Sequence, residues 1–431
     1  MDRKILIQGI IDYIESNLTA DLKTEELADM TGYSFYHFMR LFRAYTGMSV
    51  KQFIDRRKLL HASHEISRGE FAVEVALKYG YLSYSGFYRA FVREFGLSPT
   101  EFASVKRNKP YRIDLFKEEF MNVTIKTAND ILAIYWNLHN LSVRNILYPS
   151  SGNMSENGFY VGDDYILKFS ANLGGITNDI SLSEAMYANG LLSSTCVKTI
   201  SGCDYVLDGE LYFYLTRRTH GQSVVAASLY DDNYFPDARF VGNIIGRLHH
   251  VLSEIDFPAS ENVLTEKVEK YISEVKVLLN LSERFCVDYM DTLHRLYPSL
   301  PKHIIHRDPN PSNIIGEGDL WGFSDFGLSE INVRIYDICY AATSVLSETY
   351  DEKNPEKFLR WLKIYRGMIE GYSDSVNLTD NEKEAIPYII LANQIVCTGY
   401  FSRYEKYTDI FDINKKMTLK LIEVFDDLKI K

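Results

Sequence analysis

The 431-residue sequence predicts a multidomain chain, with an all-α domain of two helix-turn-helix units followed by a larger α+β body. Three observations carry this reading. The first hundred residues repeat themselves at an offset of 49. Residues 145–170 alternate apolar and polar in strand fashion, unlike anything before them. His306-Arg307-Asp308 is followed by Asn313, five positions after Asp308, and by Asp325-Phe326-Gly327, seventeen after it. A carboxylate, an amide and a second carboxylate in that order are the working parts of a phosphoryl-transfer site.

Composition sets the frame. Hydrophobic residues make up 46% of the chain, including 31 Tyr and 24 Phe, enough for two or three cores. Met1-Asp2-Arg3-Lys4 leads straight into an amphipathic segment, so no signal peptide is expected. Without a run of about 18 apolar residues, no membrane span is expected either. Five scattered cysteines, none in a Cys-x-x-Cys pair, suggest neither a disulfide frame nor a structural zinc, and fit a cytoplasmic protein. Residues 1–110 carry 16 basic and 13 acidic side chains, a net +3, while the remainder is −14. Any polyanion contact is therefore expected at the amino-terminal end.

The repeat aligns Phe38-x-Arg40-x-Phe42, Gly47-x-Ser49 and Phe53 with Phe87-x-Arg89-x-Phe91, Gly96-x-Ser98 and Phe102. Upstream, Leu27-Ala28 and Gly32-Tyr33 match Val75-Ala76 and Gly80-Tyr81. Each copy reads as two short helices split by a glycine, with alanine permitting close packing. A leading helix over 4–17 and a connecting helix over 51–66 complete the domain, and Ser34 and Ser83 are the expected N-caps of the second helices. On the first recognition helix, about 34–45, the period points Tyr36, His37, Met39, Arg40 and Arg43 outward. On the second, about 83–94, it points Tyr84, Ser85, Gly86, Tyr88, Arg89 and Arg93 outward. Two such units suit successive major grooves of double-stranded DNA, where arginine can donate two hydrogen bonds to guanine. His37, His61 and His64 read as surface or packing residues rather than metal ligands.

This stretch, over about 5–107, resembles the DNA-binding domain of AraC/XylS-type transcriptional regulators. The second copy carries the resemblance best, from Val75-Ala76 through Ser85-Gly-Phe87-Tyr-Arg89-Ala-Phe91 to Gly96-Leu-Ser-Pro99. The resemblance implies an asymmetric DNA site read by both helices. The domain is taken as 1–107, with a connector over 108–121 in which Pro110 ends any helix.

The second body is expected over 122–431, opening with a short helix at 127–140. Ser150-Ser-Gly-Asn-Met-Ser-Glu-Asn157-Gly158 is a small-residue turn between strands, able to lie over nucleotide phosphates although no Gly-x-Gly-x-x-Gly is present. Lys168 sits inside the apolar strand Tyr165-Ile-Leu-Lys-Phe, where a cation needs a partner or a cleft. Glu184, sixteen residues on in a helical run, is the expected ion-pair partner. Leu211–Thr216 reads as a buried strand leading to the connection between lobes. Val241–His250 reads as a helix, with His249 in a structural role.

Taken together, these segments resemble the aminoglycoside phosphotransferase and choline kinase superfamily. The resemblance is carried by His306-x-Asp308-x-x-x-x-Asn313, Asp325-Phe-Gly, Tyr336-Asp337-Ile-Cys-Tyr and Gly246-x-Leu-His249. It implies an α+β bilobed protein-kinase-like fold, with a small lobe over about 122–218 and a large lobe over about 219–431. It also implies ATP and Mg²⁺ as cofactors. Asp308 would be the base, Asn313 and Asp325 the metal ligands, and Lys168, Glu184, Asn157 and Gly158 the nucleotide contacts; Asp337 would brace the loop. Arg307 departs from the small glycine common in that family. The expected function is a DNA-binding regulator carrying a phosphotransferase that acts on a small-molecule hydroxyl. The alternative is a regulator whose second body is a non-catalytic nucleotide or metabolite sensor.

Overall fold

The computed structural model describes residues 2–103, 110, 112–116, 123–147, 154–404 and 407–430. They form two compact units, Met1–Ala171 with Val197–Thr216, and Asn172–Cys196 with Arg217–Lys431.

The first unit opens with seven helices: α1 (Arg3–Ser16), α2 (Thr24–Thr31), α3 (Phe35–Thr46), α4 (Val50–Ser67), α5 (Ala72–Lys78), α6 (Tyr84–Phe95) and α7 (Pro99–Phe102). The repeat seen in sequence is a repeat of end chemistry. Gly47 and Gly96 close α3 and α6 at φ 70° and 73°, a left-handed turn that only glycine adopts cheaply, and each N–H bonds back to the last helical turn. Ser83 caps α6 by accepting from Gly86 N, whereas the Ser34 hydroxyl makes no cap bond to α3. The long connecting helix α4 starts with a capping box between Ser49 and Gln52. Phe38, Phe42 and Phe53 stack edge to face in the first half, and Phe91, Phe95 and Phe102 cluster in the second.

Residues 112–116, placed in the connector by sequence, belong to this core. Gln8 on α1 donates to Ile113 O (2.8 Å) and accepts from Leu115 N (2.7 Å), and both Ile113 and Leu115 are buried among the helices. The other connector residues, apart from Pro110, lie outside the described set.

The unit continues with α8 (Ile125–Trp136), then β1 (Val143–Leu147), β2 (Met154–Val161) and β3 (Tyr165–Ser170). Helix α8 stops at 136 rather than 140 because Asn137 turns left-handed at φ 54° and Leu138 N closes onto Leu132 O. After α9 (Leu173–Ala188) come β4 (Cys196–Val197), β5 (Val206–Asp208) and β6 (Leu211–Arg217), giving a sheet of order β1-β2-β3-β6-β4 with β5 also on β6. Within this unit β1 lies against the end of α6. Asn145 donates to Glu94 O, and the Arg144 side chain covers Gly96.

The second unit comprises α9, β7 (Gln222–Ser223), α10 (Tyr234–Glu254), α11 (Leu264–Leu279), α12 (Glu283–Leu296), β8 (Lys302–Ile305), β9 (Ile314–Glu317), β10 (Leu320–Phe323), β11 (Glu330–Val333), α13 (Ile335–Thr349), α14 (Pro355–Ser375), α15 (Asp380–Phe401) and α16 (Thr408–Glu423). Its core is one large apolar cluster centred on α10, α13, α14 and α15. Helices α10 and α14 touch backbone to backbone. A Cβ at Gly242 would stand 1.9 Å from Met368 O, and one at Gly371 would stand 1.8 Å from Arg239 O. Two short antiparallel pairings, β9 with β10 and β8 with β11, carry the loops discussed below. Among the described residues no helix is long and apolar enough to cross a membrane.

Inside the reading domain Glu15 pairs with Arg57 and His61, the latter at 3.2 Å. Burial opposes its charge, but the hydrogen bonds and charges of His61 and Arg57 outweigh that and hold its carboxyl below the ordinary glutamate range. The folded state therefore binds a proton less readily than the unfolded chain, and the pair's contribution is present at neutral pH and lost as pH falls through the depressed value. Glu15→Ala should cost about 3 kcal/mol at neutral pH, because it takes its carboxylate from the buried Arg57 guanidinium. In urea denaturation followed by helical signal, the gap between variant and parent should close in acid.

Candidate active site and DNA-reading helices

The phosphotransfer motif folds around a single buried carboxylate, that of Asp337 near the start of α13. Its two oxygens accept from His306 N and Arg307 N, each at 2.8 Å, so the strand β8 is forced to turn immediately after Ile305. The same carboxylate meets His249 Nε2 at 3.0 Å, and His249 Nδ1 meets the Tyr372 hydroxyl at 2.8 Å. The Nε2–H donates to the carboxylate, and Nδ1 shares its hydrogen bond with the Tyr372 hydroxyl. His249 and Asp337 thus take the bracing roles expected of them.

His306 is fully buried against the Phe326 and Phe323 rings. Its Nδ1 accepts from Asp308 N (3.3 Å), which leaves Nε2–H to donate to Ser324 O (3.0 Å). One imidazole thereby fixes the loop bearing Asp308 to the segment bearing Asp325. Asp308 accepts from Asn310 Nδ2 (2.9 Å) and, more distantly, from Asn313 Nδ2 (3.4 Å), and the half-buried Tyr340 lies beside it. Burial pushes the Asp308 carboxyl above the ordinary aspartate range. The Asn310 and Tyr340 hydrogen bonds oppose the shift, while the nearby Asp325 adds to it. A carboxylate so placed accepts a proton more readily than a solvated one.

Asn313 donates its amide to Asp308 O (2.9 Å), so its side-chain oxygen faces away from that bond. Asp325 is exposed, and its carboxylate accepts no hydrogen bond among the described residues. Two uncommitted oxygen donors suit Mg²⁺, which is ordinarily held by one or two carboxylates together with substrate phosphates. Both loops store strain: Arg307 and Asp325 take φ 73° and 70°, a region costly for side chains other than glycine. For Asp325 the strain is held by Phe326, buried with its N–H donating to Asp179 Oδ1 (2.8 Å) on α9.

The remaining predicted contacts are distributed as follows. Lys168 lies on β3 opposite Gly158 of β2, half-buried, with its ammonium 5.8 Å from the Tyr214 ring centre. Asn157 is exposed and its Oδ1 accepts from Ser155. Residues 150–153 of the proposed phosphate turn lie outside the described set. Glu184 is exposed on α9, whereas the buried carboxylate of that helix is Asp179. Asp179 was missed because the expected spacing from Lys168 drew attention further along the helix. Its own signal was an aspartate among isoleucines in Ile176–Ile180.

On the reading helices, Tyr36, Arg40 and Arg43 of α3 and Tyr84, Ser85, Arg89 and Arg93 of α6 are exposed. His37 is half-buried and stacks on Tyr33 at 4.5 Å. Met39, expected outward, packs partly against the helical core.

An all-helical reader with two equivalent helix pairs, joined to a body with this pair of loops, is a DNA-binding regulator carrying a kinase-type phosphotransferase domain. Comparison with known proteins agrees. Residues 27–104 match the helix-turn-helix domain family, and residues 149–371 match the phosphotransferase enzyme family. Over 96 residues the chain is 34% identical to the HTH-type transcriptional activator AarP of Providencia stuartii, spanning 22% of this chain and 71% of that protein. Over 103 residues it is 31% identical to the regulatory protein SoxS of Salmonella typhimurium, spanning 24% and 96%. In fold it is similar to the amicoumacin kinase hAmiN (TM-score 0.54, 14% identity, 70% of this chain and 94% of that one). It is similar also to a microcompartment-associated aminopropanol kinase (0.53, 15%, 72% and 99%). The chain belongs to the phosphotransferase enzyme family, with an AraC-type helix-turn-helix domain ahead of the phosphotransferase body.

The Asp337 clamp gives a direct test. Asp337→Ala leaves two backbone N–H groups and His249 without their acceptor and should destabilise the second unit by about 2–5 kcal/mol. Thermal unfolding followed through the buried Trp361, which packs beside α13, reads this out. Asp337→Asn keeps one acceptor oxygen and should lose less than Asp337→Ala; equal losses would discard the clamp.

Proposed function

We propose that this protein is a sequence-specific transcriptional regulator whose second body transfers a phosphoryl group from ATP to the hydroxyl of a small molecule, with Mg²⁺ as cofactor. The observation that carries this reading is the Asp308 carboxylate. It is half-buried, accepts from Asn310, and is fixed through His306 to the segment that presents Asp325. Asp308 takes the proton of the attacking hydroxyl. Asn313 and Asp325 would hold the magnesium ions, which neutralise charge on the phosphates when bound. Lys168, Asn157 and Gly158 are the nucleotide contacts. Asp179, rather than Glu184, supplies the α9 carboxylate of the site, because it is the acid that also secures the Asp-Phe-Gly turn.

At the DNA end, Arg40, Arg43, Arg89 and Arg93, with Tyr36, His37, Tyr84 and Ser85, form the contact set on α3 and α6. A second reading, in which the body senses a nucleotide or metabolite without turnover, is favoured by one contact. Asn145 of β1 donates to the carbonyl of Glu94 in the last turn of α6, a route by which the state of the sheet reaches a reading helix.

Asp308→Asn should abolish phosphate transfer in an ATP-turnover screen over amino alcohols, amino acids and aminoglycosides, while the DNA footprint persists. Turnover that survives the substitution rules out Asp308 as the base. Arg89→Ala should weaken binding to the cognate DNA site by about 1–3 kcal/mol. An unchanged footprint would remove that contact.

A further inference from the structure

Beside the loop that carries Asp308, two cations meet around one buried carboxylate. Glu330, buried on β11, meets Lys267 Nζ at 3.1 Å and Arg307 Nε at 3.3 Å. Asn262 and Asn332 donate to the same carboxylate at 2.6 and 2.9 Å, so its accepting capacity is taken up. Two cations therefore share one anion. Burial and the Arg307 charge together hold the Lys267 ammonium below its ordinary range, which records that crowding.

The surplus resides on Arg307. Its Nε faces Glu330, but among the described residues neither terminal nitrogen of the guanidinium makes a hydrogen bond, and the side chain is 32% exposed. The other carboxylates nearby have tasks of their own. Asp337 serves the backbone of His306 and Arg307, Asp308 accepts from Asn310, and Asp325 is assigned above to magnesium. Arg307 directly precedes Asp308, and the charges of both act on one side chain of α15. The half-buried Cys397 thiol of α15 is pushed up to about 12 by burial and by the Asp308 charge, and is pulled back by Arg307. Both charged groups thus reach one side chain.

We propose that Arg307, backed through Glu330 by Lys267, selects an acceptor that bears a carboxylate or other acid group as well as the hydroxyl it presents to Asp308. A hydroxy acid or a hydroxy amino acid fits; a purely cationic amino alcohol or aminoglycoside does not. A guanidinium with free terminal amino groups is the donor fork that a carboxylate fits in bidentate fashion. An ammonium group at that guanidinium meets like charge, and Glu330, the carboxylate beside it, is already filled. This inference rests on the phosphotransferase reading for the hydroxyl, but the charge selection is measurable apart from it.

The test uses the full chain and three probe series of matched chain length: hydroxy acids, diols and amino alcohols. Binding is measured by calorimetry with magnesium and a non-hydrolysable ATP analogue, and turnover is measured in parallel with ATP. The acids should bind more tightly than the diols by roughly tenfold or more, with the amino alcohols weakest. Arg307→Gln keeps a side chain on the strained backbone and should collapse the acid-to-diol ratio toward one, with Arg307→Lys intermediate. Equal binding of all three series, preference for the amino alcohols, absence of binding by any of them, or an acid preference untouched by Arg307→Gln each overturns the proposal. Acid-selective binding without turnover supports it while defeating the transferase reading, so the two failures are distinguishable.

Discussion

The second unit depends on one carboxylate buried beneath its own loop. Asp337 accepts two consecutive backbone N–H groups and the His249 ring. A charge with no access to water survives in a core only when such donors surround it. Its donors here are the backbone of the very residues that must be placed, so its stabilisation and the geometry of Asp308 are one interaction. His306 extends the same logic sideways, joining the Asp308 loop to Ser324 and stacking on Phe326. Phe326 in turn draws Asp325 into a left-handed conformation while Asp179 holds its N–H. Four segments distant in sequence, α9, the loop after β8, Ser324–Phe326 and the start of α13, are tied by three polar side chains, Asp179, His306 and Asp337.

The reading domain is organised differently. Its rigidity comes from aromatic cores and helix ends, with polar contacts limited largely to caps and the Glu15–Arg57–His61 cluster. That suits its task, since DNA contact needs exposed arginines on stiff supports rather than a buried constellation. The acid balance of the chain follows the same division. The arginines of α3 and α6 are exposed on a segment that is only mildly basic overall, while the acids that brace the second unit, Asp179, Glu330 and Asp337, are inside it.

Much of this was legible beforehand, for identifiable reasons. The helix pairs were visible because glycine C-caps and phenylalanines recur at one offset, a local signal that tertiary packing only reinforces. Asp308, Asn313 and Asp325 were visible because phosphoryl transfer fixes their order and spacing. Asp179 was not, because its value comes from a hydrogen bond to Phe326, 147 positions away. The Glu330 knot was equally invisible, since Asn262, Lys267, Arg307 and Asn332 meet only when β11 pairs with β8 and residues 260–262 also lie along β11. The end of α8 was misjudged by four residues because Asn137 was not weighed as a left-handed cap. Met39 faces inward enough to pack because the aromatic core extends beyond the stripe that period alone marks out.

The return of residues 112–116 to α1 bears on how such chains are assembled by gene fusion. Gln8 satisfies the backbone of Ile113 and Leu115, whose side chains complete the aromatic interior of the reader. A reader excised at residue 107 would leave behind its own closing strap and expose the apolar groove that the strap fills. The helical core is therefore longer than its family signature, because it includes Ile113 and Leu115.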